Sequence, residues 1–225
     1  MIVGSGLLAR AFYPLYFNRA DVCIYAAGVS NSNCANKKEF DREKERLQST
    51  LNQCPKGLLF VYFGTCSFYD PEMLNSHYVK HKMAMECLVQ TSQNYLIFRL
   101  PQVAGRTPNP HTLLNYLFAR ISRSESFNLW IKAKRNIIDI DDIVLIANRI
   151  IEKNLFKNKF INIANPINYK MTEIVKVMEA VVGKKAIFEV LERGSEYLID
   201  VDSVSLAGVD FDEHYLSKLI TKYYA

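Results

Sequence analysis

Short, wholly apolar runs alternate along this chain with longer segments in which apolar positions recur every three or four residues. The short runs, bounded by turn residues, predict strands at 1–3, 21–26, 58–63, 95–100, 136–140 and 160–164. The longer segments predict helices at 7–16, 40–51, 76–91, 112–121, 143–151 and 172–182. Asp141 or Asp142 is placed to cap the fifth helix and Thr172 the sixth, and Gly183 is placed to end the sixth. Strands apolar on both faces, each followed by a helix, predict an α/β fold with a parallel sheet covered on both sides.

The first turn adds chemistry. Gly4-Ser5-Gly6-Leu7-Leu8-Ala9 joins the first strand to the first helix, so backbone N–H groups and the positive helix end converge where a pyrophosphate can sit. Gly4 permits the turn, Gly6 lets a phosphate approach the backbone, and Ala9 lets helix and strand pack closely. A dinucleotide site of this kind places an acidic residue about 20 positions later, at the end of a second strand. Here that count lands on Tyr25 and Ala26, inside a strand that begins at Asp21. No strand and helix fit between Tyr16 and Asp21, so Asp21 is expected to be structural.

A second constellation lies downstream. The strand at 58–63 leads into Gly64-Thr65-Cys66-Ser67, and Tyr78-Val79-Lys80-His81-Lys82 follows on a helix. Chance alone gives a Tyr-x-x-x-Lys pair about once in a chain this rich in both residues, so its surroundings carry the reading. Residues four apart share a helix face. An ammonium about 4 Å from the phenol, at an effective dielectric of about 20, favours the phenolate by roughly 4 kcal/mol. That is on the order of three pKa units from a starting value near 10, enough to bring Tyr78 within reach of neutral pH as a proton donor or acceptor. Thr65 stands at the carboxyl end of its strand, where open α/β sheets hold ligands.

These residues resemble the extended short-chain dehydrogenase/reductase family, the nucleotide-sugar epimerases, dehydratases and ketoreductases. The resemblance runs in order through Gly4 to Ala9, Ala26-Ala27-Gly28, Phe63 to Tyr69, Tyr78-x-x-x-Lys82, Arg99-Leu100-Pro101-Gln102-Val103-Ala104-Gly105, Ile138 to Ile143 and Met171 to Val175. It implies a Rossmann-like core over residues 1–150, shortened by one strand-helix-strand unit, and a small substrate-side lobe over 151–225. It implies that Thr65, Tyr78 and Lys82 are catalytic, and that Gly4, Gly6, Leu7, Leu8, Ala26, Ala27, Gly28, Lys82 and Pro101 line an NAD or NADP site. Thr65, Ser67 and Arg135 would then touch a nucleotide-sugar substrate, with a plain surface arginine as the other reading of Arg135. The expected activity is hydride transfer at a sugar carbon with Tyr78 as general acid or base. The alternative is a non-catalytic binding module that keeps the fold without productive cofactor binding.

Composition narrows the partners. Hydrophobic residues make up 49% and charged residues 23%, enough apolar material for a full core. The net charge of +5 is spread along the chain, which disfavours nucleic acid and suits an anionic ligand. Five cysteines without a Cys-x-x-Cys pair point to reduced thiols and a cytoplasmic protein. No basic leader, long apolar span or metal-ligand spacing is present, so neither membrane nor metal is expected, and a homodimer is left open.

Overall fold

The computed structural model describes residues 1–201 and 208–225. Strands β1 (Ile2–Val3), β2 (Val22–Tyr25), β3 (Leu59–Thr65), β4 (Tyr95–Leu100) and β8 (Lys159–Asn162) lie side by side in that order, all parallel. The period of two in each strand sends alternate side chains to opposite faces. Val22, Ile24, Val61, Phe63, Leu96 and Phe98 face helices α1 (Leu7–Tyr16) and α5 (Ile140–Glu152), whose Phe12, Tyr16, Ile143, Ile146 and Ile150 complete that core. Cys23, Tyr25, Phe60, Tyr62 and Ile97 face α2 (Lys37–Gln53) and α3 (His77–Val89), through Leu47, Met85 and Val89.

This distribution has a topological consequence. The chain steps from β1 to β2 to β3 to β4 in one direction across the sheet, yet α1 covers one face while α2 and α3 cover the other. The β1–α1–β2 crossover therefore has the opposite hand to the two that follow. Crossovers between parallel strands are right-handed in about 98% of cases, so an exception calls for a cause. In the full dinucleotide-binding order 3-2-1-4-5-6 the first strand is flanked on both sides, and its helix leads to a strand on the far side. Here β1 is an edge strand paired only with β2. A sheet that has lost the strands beyond β1, with α1 left on its original face, has this hand and this edge. The shortened Rossmann-like sheet expected from the sequence is observed.

A second core packs beside the sheet. It joins α4 (Leu113–Ser122), β6 (Phe127–Trp130), α6 (Met171–Val182) and a last helix, α7 (Tyr215–Tyr224). Strands β5 (Gln102–Ala104), β7 (Lys134–Asp139) and β9 (Asn168–Lys170) form a small sheet, and β6 pairs with β10 (Phe188–Leu191). The chain passes between the cores repeatedly: β8 follows residue 151 yet closes the main sheet, while α4 and β6 precede it and belong to the second core.

Two helix starts differ from the sequence reading. Asp139, not Asp141 or Asp142, caps α5, accepting from the Asp141 N–H at 3.0 Å. β7 ends there because Asp139 also accepts from the Lys222 ammonium at 2.7 Å and the Tyr223 hydroxyl at 2.6 Å, which tie α7 to this corner. α6 begins at Met171, so Thr172 lies inside it, and Glu173 reaches back to the Lys170 N–H at 2.9 Å. Gly183 does end α6, in the left-handed conformation at φ 72°. Asp21 is structural, held by both ends of its carboxylate on Arg19 at 2.7 Å.

Candidate functional site

The carboxyl ends of β1, β2, β3 and β4 open into one cavity of about 510 Å³. Every residue expected at the dinucleotide lines it: Gly4, Gly6, Leu7, Leu8, Ala26, Ala27, Gly28, Lys82 and Pro101. Thr65, Ser67 and Tyr78 line it as well. Arg135 does not. It sits in β7, donates to the Lys134 carbonyl at 2.9 Å and lies 3.7 Å from the Asp70 carboxylate.

The two glycines of the first turn have different reasons. Gly4 has φ 129°, and a Cβ there would lie 2.4 Å from the Ala26 carbonyl oxygen, so the backbone itself demands glycine. At Gly6 a Cβ would meet nothing within 4 Å, so no protein atom demands it. Gly6 is the N-cap of α1, no side chain caps that end, and no acidic residue lies in the first turn. The free N–H groups of the helix start thus face the cavity with room for an anion.

No Asp or Glu lines the cavity among the described residues, whereas Arg42, Arg46 and Lys82 do. Arg42 and Arg46, one turn apart on α2, are exposed at its mouth beside Ser30 and Ser32. Arg42 pairs with Glu39 at 2.5 Å, and Arg46 has no ionic partner among the described residues.

Thr65 ends β3, and its hydroxyl accepts from the Ser67 N–H at 3.0 Å, which turns the chain into the 3-10 segment Cys66–Tyr69. Ser76 caps α3, accepting from the Val79 N–H at 3.1 Å, and so aims Tyr78 and Lys82 from the first turns of the helix. The structure brings the two residues to one place: Thr65 and Tyr78 line the same cavity. All three polar residues are buried.

The charge state of Tyr78 differs from the expectation. Burial pushes its phenol up to about 12; the neighbouring Thr65 hydroxyl lowers it, and the Glu43 carboxylate, Cys66 and Glu86 raise it again. The Lys82 ammonium lies 3.2 Å from the buried Glu43 carboxylate and over the Tyr62 ring at 4.6 Å. At neutral pH Tyr78 is a protonated phenol.

The sequence reading passed over two carboxylates that organise this region. Glu43 is one. The other is Glu86, which pairs with Arg99 at 2.7 Å directly beneath Gly64, where a Cβ would come within 2.2 Å of the Glu86 oxygen. Arg99 is sandwiched between Phe68 and Phe160, 4.6 and 4.8 Å from their ring centres. A signal for Glu43 existed in the sequence: on a helix as charged as α2 it occupies the face that carries Leu47 and Thr50.

Comparison with known proteins returns similarity in structure alone: no family model matches the chain, and no curated sequence does. Among solved structures, the chain is similar to a UDP-glucuronic acid 4-epimerase from Bacillus cereus, in complex with UDP-glucuronic acid and NAD. The TM-score is 0.75 at 19% identity, covering 97% of this chain and 77% of that one. It is also similar to a dTDP-glucose 4,6-dehydratase from Bacillus anthracis in complex with NAD, at TM-score 0.71 and 14% identity over 91% of this chain and 71% of that one. A Thermus thermophilus UDP-glucose 4-epimerase in complex with NAD gives 0.70 and 13%, over 96% and 80%. The chain has the fold of the extended short-chain dehydrogenase/reductase enzymes in a shortened form. Among the described residues, no helix is long and apolar enough to cross a membrane.

Proposed function

We propose that this protein is an NAD(P)-dependent oxidoreductase or epimerase acting on a nucleotide-linked sugar. The observation that carries the reading is the single cavity in which the uncapped start of α1 and the Thr65, Tyr78 and Lys82 side chains meet. Its residues fit a nicotinamide dinucleotide. The free N–H groups of α1 and the space beside Gly6 suit a pyrophosphate, and among the described residues the lining offers cations without a carboxylate. The volume is in the range of small-molecule sites.

When bound, the nicotinamide supplies the hydride acceptor or donor. The protein's own residues do the rest. Leu7 and Leu8 present backbone N–H groups to the phosphates, and Lys82 offers its remaining donors to the nicotinamide-side ribose. Thr65 and Tyr78 hold the reacting sugar oxygen between their hydroxyls. A phenol protonated at neutral pH is set to give its proton to a carbonyl oxygen as that oxygen gains charge. In the reverse direction the phenol must first lose its proton, so oxidation of a hydroxyl gains rate as pH rises.

One observation favours a second reading, a binding module without turnover: β1 is an edge strand, so the adenosine end of the cavity lacks the wall that further strands would build. Titration with NADH and then NADPH, followed by nicotinamide fluorescence, separates the two. Micromolar binding, with nucleotide-sugar turnover that disappears in Tyr78→Phe, supports the enzyme. Absence of binding at millimolar concentrations rejects it.

A further inference from the structure

Glu43 is the most completely enclosed charge near the site, its side chain 0% exposed. Four groups converge on its carboxylate from three elements. From the loop after β2 the Val29 N–H donates at 2.7 Å; from β3 the Tyr62 hydroxyl donates at 2.8 Å. From α3, His81 Nε2 lies at 2.9 Å and Lys82 Nζ at 3.2 Å. The His81 side chain is only 8% exposed and stacks on Phe40, ring centres 4.4 Å apart. Gly28 closes over the arrangement: a Cβ there would come within 2.8 Å of both the Glu43 oxygen and the Lys82 nitrogen. The loop that lines the cavity, the strand that ends in Thr65 and the helix that carries Tyr78 are thus pinned at one carboxylate.

Resting on the function proposed above, we infer that Glu43 is a positioning residue for the Tyr78–Lys82 pair: it fixes the Lys82 ammonium and the 26–29 loop against each other, and it offsets the lysine's charge at Tyr78. An ammonium has three N–H donors. One is committed to Glu43, which fixes the direction of the other two. The carboxylates that act on Tyr78 are each paired with a cation, Glu43 with Lys82 and Glu86 with Arg99, and the Tyr62 phenol, the Thr65 hydroxyl and the Cys66 thiol also act on it. Burial would raise the Glu43 carboxyl, but the Lys82 charge and the hydrogen bonds from His81, Val29 and Tyr62 outweigh it and hold the group near about 2. It is an anion throughout the working range.

The test is the ionisation of Tyr78, read without cofactor. Glu43→Gln keeps the shape and an acceptor for Val29 but removes the charge, leaving the Lys82 ammonium uncompensated. Tyrosinate difference absorbance is followed against pH in this variant and in the wild-type chain, each with and without Tyr78→Phe, so that only the Tyr78 contribution remains. The expected result is a Tyr78 ionisation at least about one pH unit lower in Glu43→Gln, together with weaker NADH or NADPH binding. An unmoved ionisation in a folded variant overturns the inference. Should Glu43→Gln fail to fold, Lys82→Gln is compared with Lys82→Gln/Glu43→Gln. The single variant should raise the ionisation and the double variant should restore it, and identical values in the two would overturn the inference. Since this titration needs no dinucleotide, a failure of the wild-type chain to bind NADH and NADPH would reject the proposed function while leaving the role of Glu43 to be decided by Tyr78 itself.

Discussion

The two glycines of the first turn separate what the fold needs from what a ligand needs. At Gly4, φ 129° places any side chain in a strained region, costing about 1–3 kcal/mol. The Cβ would also lie 2.4 Å from the Ala26 carbonyl oxygen, and overpacking of that kind costs a further 1–3 kcal/mol or so. Because this contact is with backbone, β1 must move relative to β2. Gly4→Ala should therefore lose about 2–6 kcal/mol, which lowers Tm by on the order of 10 °C in a domain of this size.

Gly6→Ala starts from different numbers. Its φ of −75° suits alanine, and its Cβ would have no neighbour within 4 Å. The remaining cost is that of alanine at an N-cap, about 0.5–1 kcal/mol, or roughly 2–3 °C. The new methyl instead occupies the space where a phosphate would approach the backbone, and dinucleotide affinity should fall by about tenfold, equivalent to about 1.4 kcal/mol. Thermal melts of both variants, with fluorescence titration of Gly6→Ala, provide the comparison. Wild-type affinity in Gly6→Ala would refute a phosphate at this turn, and equal melting temperatures for the two variants would refute the steric account of Gly4.

Tyr78→Phe should retain dinucleotide binding and lose turnover by about 10²–10⁴-fold, the usual size of a general acid's contribution, as measured by steady-state assay. Arg42→Ala/Arg46→Ala should weaken dinucleotide binding and flatten its salt dependence, since the exposed guanidinium groups at the cavity mouth act on an anion through solvent; titrations at two ionic strengths check this. Glu43 has its folded pKa depressed from 4.5 to about 2, so it contributes stability that is fully present above about pH 4.5 and lost as pH falls toward 2. Urea midpoints across the acid range should fall in the wild-type chain and flatten in Glu43→Gln.

Much of the sheet could be read from the chain because its strands are apolar on both faces. Residues 58–63 and 95–100 admit no other reading, and β3 and β4 formed there with their alternate side chains in two cores. The weaker elements were passed over for a physical reason. β6, Phe127–Trp130, and β10, Phe188–Leu191, are short and pair only with each other, with Phe188 and Val190 exposed. α7 carries three tyrosines and two lysines that look like surface, yet Tyr215 reaches Asp142 at 2.5 Å and the Asp139 N–H donates to its hydroxyl at 2.8 Å. Such long-range partners leave no local pattern. At the site, the residue types of Thr65, Tyr78 and Lys82 were legible, but the direction of Tyr78's shift was not. That direction comes first from burial and then from Glu43, which lies 39 residues from Lys82 and reads locally as one more charge on a polar helix.

The hand of the first crossover links the shortened sheet to the cavity. If the chain had simply been built with five strands, a right-handed β1–α1–β2 unit would have set α1 beside α2 and α3. It lies on the opposite face instead, where Phe12 and Tyr16 join the α5 core and the Tyr16 hydroxyl donates to Asn148 at 2.8 Å. That placement keeps the start of α1 pointing across the carboxyl end of β1 toward Thr65 and Tyr78, with Leu7 packed near Gly105 and Ile140. An α1 moved to the other face would take Phe12 and Tyr16 out of the α5 core and its free N–H groups away from the cavity. The fold has tolerated an unfavourable crossover and an unpaired edge, and what these preserve is the meeting of the helix start with the hydroxyl pair.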